Sequence, residues 1–315
     1  MSEIELHRKL LGDAARNRAF HQALEKVIRP GKTTVVDLGA GTGFLSFMAR
    51  RLGARHCTLI EYADTLDLAE ALARKNRLDA LTFIKAHSSE ITRPPKADLV
   101  ISETLGNYAL EENLLETLVD ARRFLNTKGL IIPGRLLQFV APVVTSTAQD
   151  EIDIWPQVGF GLDLTAARAI SLNNMFVRTL HPAELAGEHS ARLWDDLDFN
   201  PAATAPASKR SCTVKWSAKD LSGATQVFGY ALWWECELVP GVVISTSPYA
   251  PPTHWQQIYL PLLEPLTLRA SDALEVTLGS DTRPQVGVRV AWRTRQVRGG
   301  RAVNEQSQDI FRGRL

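Results

Sequence analysis

The chain has 315 residues, 45% of them apolar, with 36 basic and 35 acidic side chains and a net charge of +1. That length supports one large domain or two ordinary ones, and the lack of a basic excess argues against a nucleic-acid partner. Cys57, Cys212 and Cys236 are scattered without CxxC spacing, which argues against a zinc knuckle or a disulfide framework and fits a reducing cytosol.

The N-terminus, MSEIELHRKLLGDAARNRAF, is charged and amphipathic and lacks the apolar core of a signal segment. No apolar run reaches membrane-spanning length. From Lys32 to Pro133 strand-like runs alternate with helical stretches. TTVVDLGA reads as a strand ending in a glycine turn, and FLSFMARRLG as a helix ended by Gly53. HCTLIEY and DTLDLAEALARKNRL repeat the pair, LTFIKAH and ADLVISE continue as buried strands, and ENLLETLVDARRFL follows as a helix with Glu112 in its first turn. Such alternation predicts a mostly parallel, doubly wound sheet. Beyond Pro133 the pattern changes to β-rich runs, CTVKWSA, TQVFGYALWWECEL, VVISTS, QQIYLPL, ALEVTLG and QVGVRVAWRTR, which predict an antiparallel barrel or sandwich. Glu151 to Leu185 carries weaker helical patterns and reads as an arm, PAATAPAS as a loop or linker, and the tail RGGRAVNEQSQDIFRGRL as a polar, poorly ordered end. The expected division is therefore 1–133 and 134–315.

VVDLGAGTGFLS places Gly39, Gly41 and Gly43 after a strand and before a helix, where small residues let a ligand approach the backbone. Phe44 stands where a dinucleotide fingerprint needs Gly. Glu61 closes the second strand, and a carboxylate there can accept both hydroxyls of a ribose. No basic residue lies between Asp37 and Phe44, which suits a nucleoside cofactor without phosphates. In SETLGNYALEEN, Glu103 and Glu112 would lie on opposite faces of a straight helix, so they converge only if the chain reverses, with Gly106 able to turn it. Two converging carboxylates repel unless a cation sits between them, and a planar guanidinium answers that need. Glu111 reads as a solvated acidic residue.

SETLGNYALEEN resembles the double-glutamate loop of the class I protein arginine methyltransferases, of the form SExxGxxxxxxE. VVDLGAGTGFLS resembles that family's S-adenosylmethionine (SAM) loop and TLIEYAD its ribose segment. HRKLLGDAAR resembles its HxxMLxDxxR, with Leu10 where Met is usual, and ISTSPYAPPTHWQQ its STSP…THW segment. The resemblance implies a Rossmann-like SAM domain with an N-terminal helix, an antiparallel β-barrel domain bearing a helical dimerisation arm at about 151–185, and a head-to-tail homodimer. It implies that Arg16 holds the SAM carboxylate with His7 nearby, and that Asp37, Gly39, Gly41 and Gly43 line the cofactor. Glu61 would bind the ribose, Ser88 and Ser89 would contact the adenine, and Glu103 and Glu112 would clamp the substrate guanidinium. His254 would pair with Asp13, and Trp255 would wall the acceptor site. Thr104 and Asn107 depart from the usual aromatics, and only six residues precede His7, too few for the family's YFxxY helix. Those departures leave protein arginine and free L-arginine both open as acceptors. Another small guanidino or amino metabolite, or a catalytically silent dimeric scaffold, are the alternatives.

Overall fold

In the computed structural model, which describes residues 3–221 and 223–315, two helices are followed by short strands that largely alternate with amphipathic helices. In order they are α1 (Glu3–Gly12), α2 (Ala14–Val27), β1 (Thr34–Leu38), α3 (Phe44–Arg51), β2 (His56–Glu61), α4 (Thr65–Lys75), β3 (Leu81–Lys85), β4 (Ala97–Ile101), α5 (Leu114–Ala121) and β5 (Leu125–Ile132). The strands pair in parallel in the order β3-β2-β1-β4-β5. β1 and β4 are central and buried along most of their length, as apolar runs covered on both faces must be. β3 is the exception to the expected burial: it forms a sheet edge and alternates between half-buried and exposed. The strand order reverses between β1 and β4, and open α/β sheets place ligands beyond the carboxyl ends of the strands at such a point.

The later elements are β6 (Arg135–Val143), α6 (Thr147–Ile152), α7 (Thr165–Ser171), β7 (Phe176–Arg178), β8 (Arg192–Asp198), β9 (Lys209–Trp216), β10 (Gln226–Val239), β11 (Val242–Ser245), β12 (Gln257–Thr267), β13 (Ala273–Asp281), β14 (Arg289–Arg298) and β15 (Arg301–Asp309). Two structural units result. One takes the chain through Leu136 with 197–206 and 235–245. The other takes Leu137–Asp196, Ala207–Trp234 and Thr246–Leu315.

Within the second unit, β9, β13, β14 and β15 form an antiparallel sheet, and β12 pairs antiparallel with β7 and β10 in another. Alternating burial along β13 and β14 supplies the inner face. The two sheets meet through Trp216 stacked on Tyr230 at 5.9 Å, the Tyr230 hydroxyl donating to Thr294 at 3.0 Å, and the Trp292 indole donating to the Pro261 carbonyl at 2.9 Å.

The tail is not a loose end. Arg301–Asp309 is β15, paired along β14, and Gln308, Asp309 and Ile310 are buried. Gly299 and Gly300 both have positive φ, 54° and 79°, which is what a tight hairpin between twisted strands requires. The polar composition that suggested disorder belongs to an edge strand that exposes most of its length.

The arm segment has two characters. Ile152, Leu172, Leu180 and Leu185 pack into a core with Ala141, Trp233 and Tyr259. Between them Ile154, Phe160 and Leu162 stand out, with Phe160 93% exposed. Gly159, Phe160 and Gly161 all have positive φ, and a non-glycine residue held there costs roughly 1–3 kcal/mol.

Candidate active site

The glycine loop leaves β1 at Leu38 and enters α3 through Gly43, the left-handed N-cap at φ 78°. Gly39 and Ala40 donate to the Ile60 carbonyl at 2.9 and 3.2 Å, which draws the loop against the end of β2. Gly39, Gly41 and Gly43 all have positive φ, and each has a different neighbour. A Cβ on Gly41 would lie 2.7 Å from the His7 ring, and one on Gly39 would lie 3.4 Å from the Thr104 methyl. A Cβ on Gly43 would lie 2.6 Å from the Phe47 ring, inside the helix packing. Gly39 and Gly41 therefore let the side chains of Thr104 and His7 come close to the loop backbone, and Gly43 allows α3 to pack.

Glu61 is buried at the end of β2. One carboxylate oxygen accepts from the Gly41 amide at 3.0 Å and the other from the Ala63 amide at 2.9 Å, so the group is fixed facing the loop. Asp37 is turned inward and accepts from the Ser46 hydroxyl at 2.8 Å, tying β1 to α3. Burial, offset by the Ser46 hydrogen bonds, pushes its carboxyl up to about 6. Ser88, half-buried, and Ser89, exposed, follow β3 in a short 3-10 turn capped by His87. Glu61 facing a glycine loop that holds no cation suits the ribose of a nucleoside cofactor without phosphates. The residues thus fit SAM.

Ser102 follows β4, and its hydroxyl donates to the Leu38 carbonyl at 3.0 Å, so the double-glutamate loop starts beside the glycine loop. Glu103 is next. Its side chain and that of Arg16 on α2 are each 3% exposed, and both the Nε and an Nη of Arg16 donate to the same Glu103 oxygen. The other Glu103 oxygen accepts from the Leu105 amide at 3.2 Å. Arg16 also stacks over Phe20 at 5.1 Å and donates to Asn17 at 3.0 Å. The residue the resemblance assigns to a carboxylate of the cofactor thus rests on a carboxylate of the chain.

Glu112 is not in the first helical turn. α5 begins at Leu114, with Asn113 as a left-handed N-cap, so Glu112 lies on the loop that precedes it. A helix terminus would stabilise its anion, yet the balance goes the other way. Glu112 is exposed by surface area, yet desolvation of its carboxyl by the surrounding protein first, then repulsion from Glu103 and from Glu111, pushes it up to about 7.

Glu111 corrects the solvated reading. It is half-buried, and its carboxylate folds over Gly106 and accepts from the Asn107 amide at 2.7 Å. A Cβ on Gly106 would lie 2.2 Å from the Glu111 side chain. Gly106 has no positive φ, so it is needed for this close approach rather than for a left-handed turn. A Gly five residues before a Glu was the only trace of this brace in the sequence.

Asp13 is the N-cap of α2 and accepts from the Arg16 amide at 2.9 Å. His254 and Trp255 belong to the second unit. Trp255 is buried and packs edge-on against Trp234 at 5.0 Å, with the His254 ring 3.9 Å from its own. Cys236, also unanticipated, is buried near enough to Glu103 that burial and that charge raise its thiol well above the usual range.

A glycine loop facing a fixed acidic strand end, at the switch point of a β3-β2-β1-β4-β5 sheet, defines a nucleoside-cofactor domain of the methyltransferase class. Comparison with known proteins agrees and narrows it. Residues 30–147 match a methyltransferase domain, and residues 137–295 match the arginine methyltransferase oligomerization subdomain. Protein arginine N-methyltransferase 6 of Xenopus laevis is 28% identical over 305 residues, covering 90% of this chain and 86% of its own. Protein arginine N-methyltransferase 1.1 of Arabidopsis thaliana is 27% identical over 285 residues, covering 88% and 71%. Among solved structures, the Trypanosoma brucei PRMT1 enzyme-prozyme heterotetrameric complex with AdoHcy superposes with a TM-score of 0.82 at 22% identity, covering 97% of this chain and 98% of that one. The chain belongs to the protein arginine methyltransferase family, whose methyl donor is SAM.

Proposed function

We propose that the chain transfers a methyl group from SAM to a guanidino nitrogen of arginine carried in a protein. The observation that carries this reading is the Glu103 carboxylate, which already holds a guanidinium, that of Arg16, beside a Glu112 whose ionisation the neighbouring carboxylates oppose. A cation between Glu103 and Glu112 removes that repulsion. In this reading Arg16 turns to the cofactor carboxylate, His7 lies beside it, and the Gly39–Gly41 backbone and Glu61 hold the nucleoside, with Ser88 and Ser89 toward the base. Glu103 and Glu112 grip the substrate guanidinium. SAM supplies an electrophilic methyl for direct displacement, so the protein chiefly positions the reactants. Two carboxylates concentrate positive charge on the nitrogens they bind and leave lone-pair character on the third. The proton leaves as the new bond forms, to Glu112 or to a pair formed by Asp13 and His254, with Trp255 walling the acceptor. The division at 133 into a cofactor domain and a substrate domain, and a cytosolic setting, belong to the same reading. Among the described residues no helix is long and apolar enough to cross a membrane.

Mass spectrometry of mixtures with SAM and either an RG-rich peptide or free L-arginine tests this: a methylated peptide is expected. Methylated free arginine alone would shift the acceptor to the small molecule, and neither product would remove the reading. The clamp needs Glu112 ionised, so kcat/KM is expected to fall as pH drops through about 7 and to level off above it. Folding has the matching sign. Glu112 binds its proton more tightly folded than unfolded, so its contribution to stability is full below the usual carboxylate range and lost as pH rises through about 7.

We also infer a head-to-tail homodimer through the arm. Phe160 is an exposed apolar knob. The first unit carries a mainly apolar groove of about 390 Å³ where Leu11, Phe44, Phe47, Met48 and Leu72 are joined by the polar His21, Arg51 and Asn76. Seating Phe160 of one copy in the groove of another buries both. Phe160→Asp is expected to give monomers in sedimentation where the unaltered chain gives dimers. An unchanged mass would remove the arm from the interface.

A further inference from the structure

The double-glutamate loop holds a third carboxylate to which the mechanism above gives no task. Glu111 does not point away into solvent, and among the described residues its carboxylate meets backbone amides rather than a basic side chain. Its carboxylate lies over Gly106, against the Asn107 amide at 2.7 Å, while its own amide donates to the Tyr108 carbonyl at 2.9 Å. These contacts close a small ring within 106–111. Tyr108, Ala109 and Leu110 beneath it are buried, which anchors the ring to the unit.

We propose that Glu111 is a positioning residue for methyl transfer: by bracing the 106–111 loop over Gly106, it sets the direction in which the next residue, Glu112, is presented toward Glu103. The inference rests on the reading of Glu103 and Glu112 as the guanidinium clamp and adds to it the part that holds one jaw in place. The geometry requires this pairing of residue types. Only Gly at 106 leaves room for the Glu111 carboxylate, because a Cβ there would lie 2.3 Å from the oxygen that takes the Asn107 amide. Only a side chain of this length, ending in an acceptor, can reach back four residues to that amide. A loop of eight residues between the two jaws otherwise has many backbone states, and residues freed from one well gain conformational entropy. Glu111 removes part of that freedom at the point where it would misdirect Glu112.

The brace also acts through charge. The groups that face Glu112 are Glu103, which carries Arg16, and Glu111. The Glu111 charge is one of the causes that raise the proton affinity of Glu112, after desolvation and Glu103. Two variants separate the hydrogen bond from the charge. Glu111→Gln keeps an acceptor for the Asn107 amide and removes the charge. Glu111→Ala removes both, and Gly106→Ala displaces the side chain without altering Glu111.

The test is amide hydrogen exchange across 103–113 together with steady-state kinetics. In Glu111→Ala and Gly106→Ala the loop amides are expected to exchange at least about tenfold faster, with kcat down by roughly ten- to a hundredfold and KM for SAM unchanged. Glu111→Gln is expected to keep loop protection and to stay within about threefold of the unaltered kcat, with its acidic limb moved to lower pH by a few tenths of a unit. Unchanged loop exchange in Glu111→Ala would overturn the brace, as would an equal loss of kcat in Glu111→Gln and Glu111→Ala. The exchange result stands apart from the choice of acceptor. If the unaltered chain methylates no guanidine, the clamp reading falls while loop protection still reports on Glu111.

Discussion

Glu103→Gln and Glu112→Gln each lower turnover by about a hundredfold or more while leaving SAM binding in place. Gln has the shape of Glu and keeps one acceptor oxygen, so the Arg16 fork retains a partner at position 103 while the Leu105 amide loses its own. What is lost is the negative charge facing a guanidinium whose own charge must be drawn away from the reacting nitrogen. Removing one preorganised electrostatic group of this kind typically costs 10²–10³ in kcat, about 2.7–4 kcal/mol. The two variants differ in their pH behaviour. Glu112→Gln removes the group that titrates at about 7, so the acidic limb of its residual activity disappears, whereas Glu103→Gln keeps it and shifts it lower because the larger of the two like-charge repulsions is gone. Calorimetry with SAM and a methylation assay across pH provide the measurement. Near-normal turnover in both variants would remove the clamp.

Arg16→Met lowers the stability of the chain by roughly 3–5 kcal/mol, and adding Glu103→Gln restores more than half of it. The pair is almost wholly buried, with each side chain 3% exposed. Removing one partner from such a pair leaves an uncompensated buried charge, whereas neutralising both removes the burden. Arg16 also loses its stacking over Phe20, a share that Met replaces in part by apolar contact. Thermal and denaturant unfolding of the two single variants and the double variant give the coupling directly. Equal stability of Arg16→Met and the double variant would show that the carboxylate is solvated in solution and that the pairing contributes little. The same series bears on binding. Both Arg16 variants lose the counter-charge for a cofactor carboxylate, so SAM affinity falls in both, and the rescue of folding without rescue of binding separates the two tasks of Arg16.

Much of the cofactor half was legible because its signals are local. Strand, glycine turn, helix and acidic strand end follow one another within 30 residues from Thr34, and hydrophobic periodicity alone places them. The spacing of Glu103, Gly106 and Glu112 could be read the same way. Errors arose where a residue answers to something distant in the chain. β3 has the apolar composition of a buried strand, yet its place at the sheet edge follows from the pairing order. The tail is polar because it is an edge strand that meets β14 along one side only, and its two leading glycines make the hairpin between the two strands. Asp37 sits in the cofactor motif, but its carboxylate is used to join β1 to α3.

What the amino-acid order determined by itself was the alternation of elements, the glycine loop, the acidic residues available to grip a cation, and the family they resemble. Those depend on side-chain chemistry and on contacts within a few turns of chain. Only the folded chain decided that Arg16, 87 residues away, lies on Glu103, that Glu111 braces the loop over Gly106, and that Glu112 precedes its helix and holds its proton up to about 7. The physical reason is that burial and charge act through space. The energy of a carboxylate depends on which groups surround it and how much water they exclude, and those neighbours are brought together only by packing.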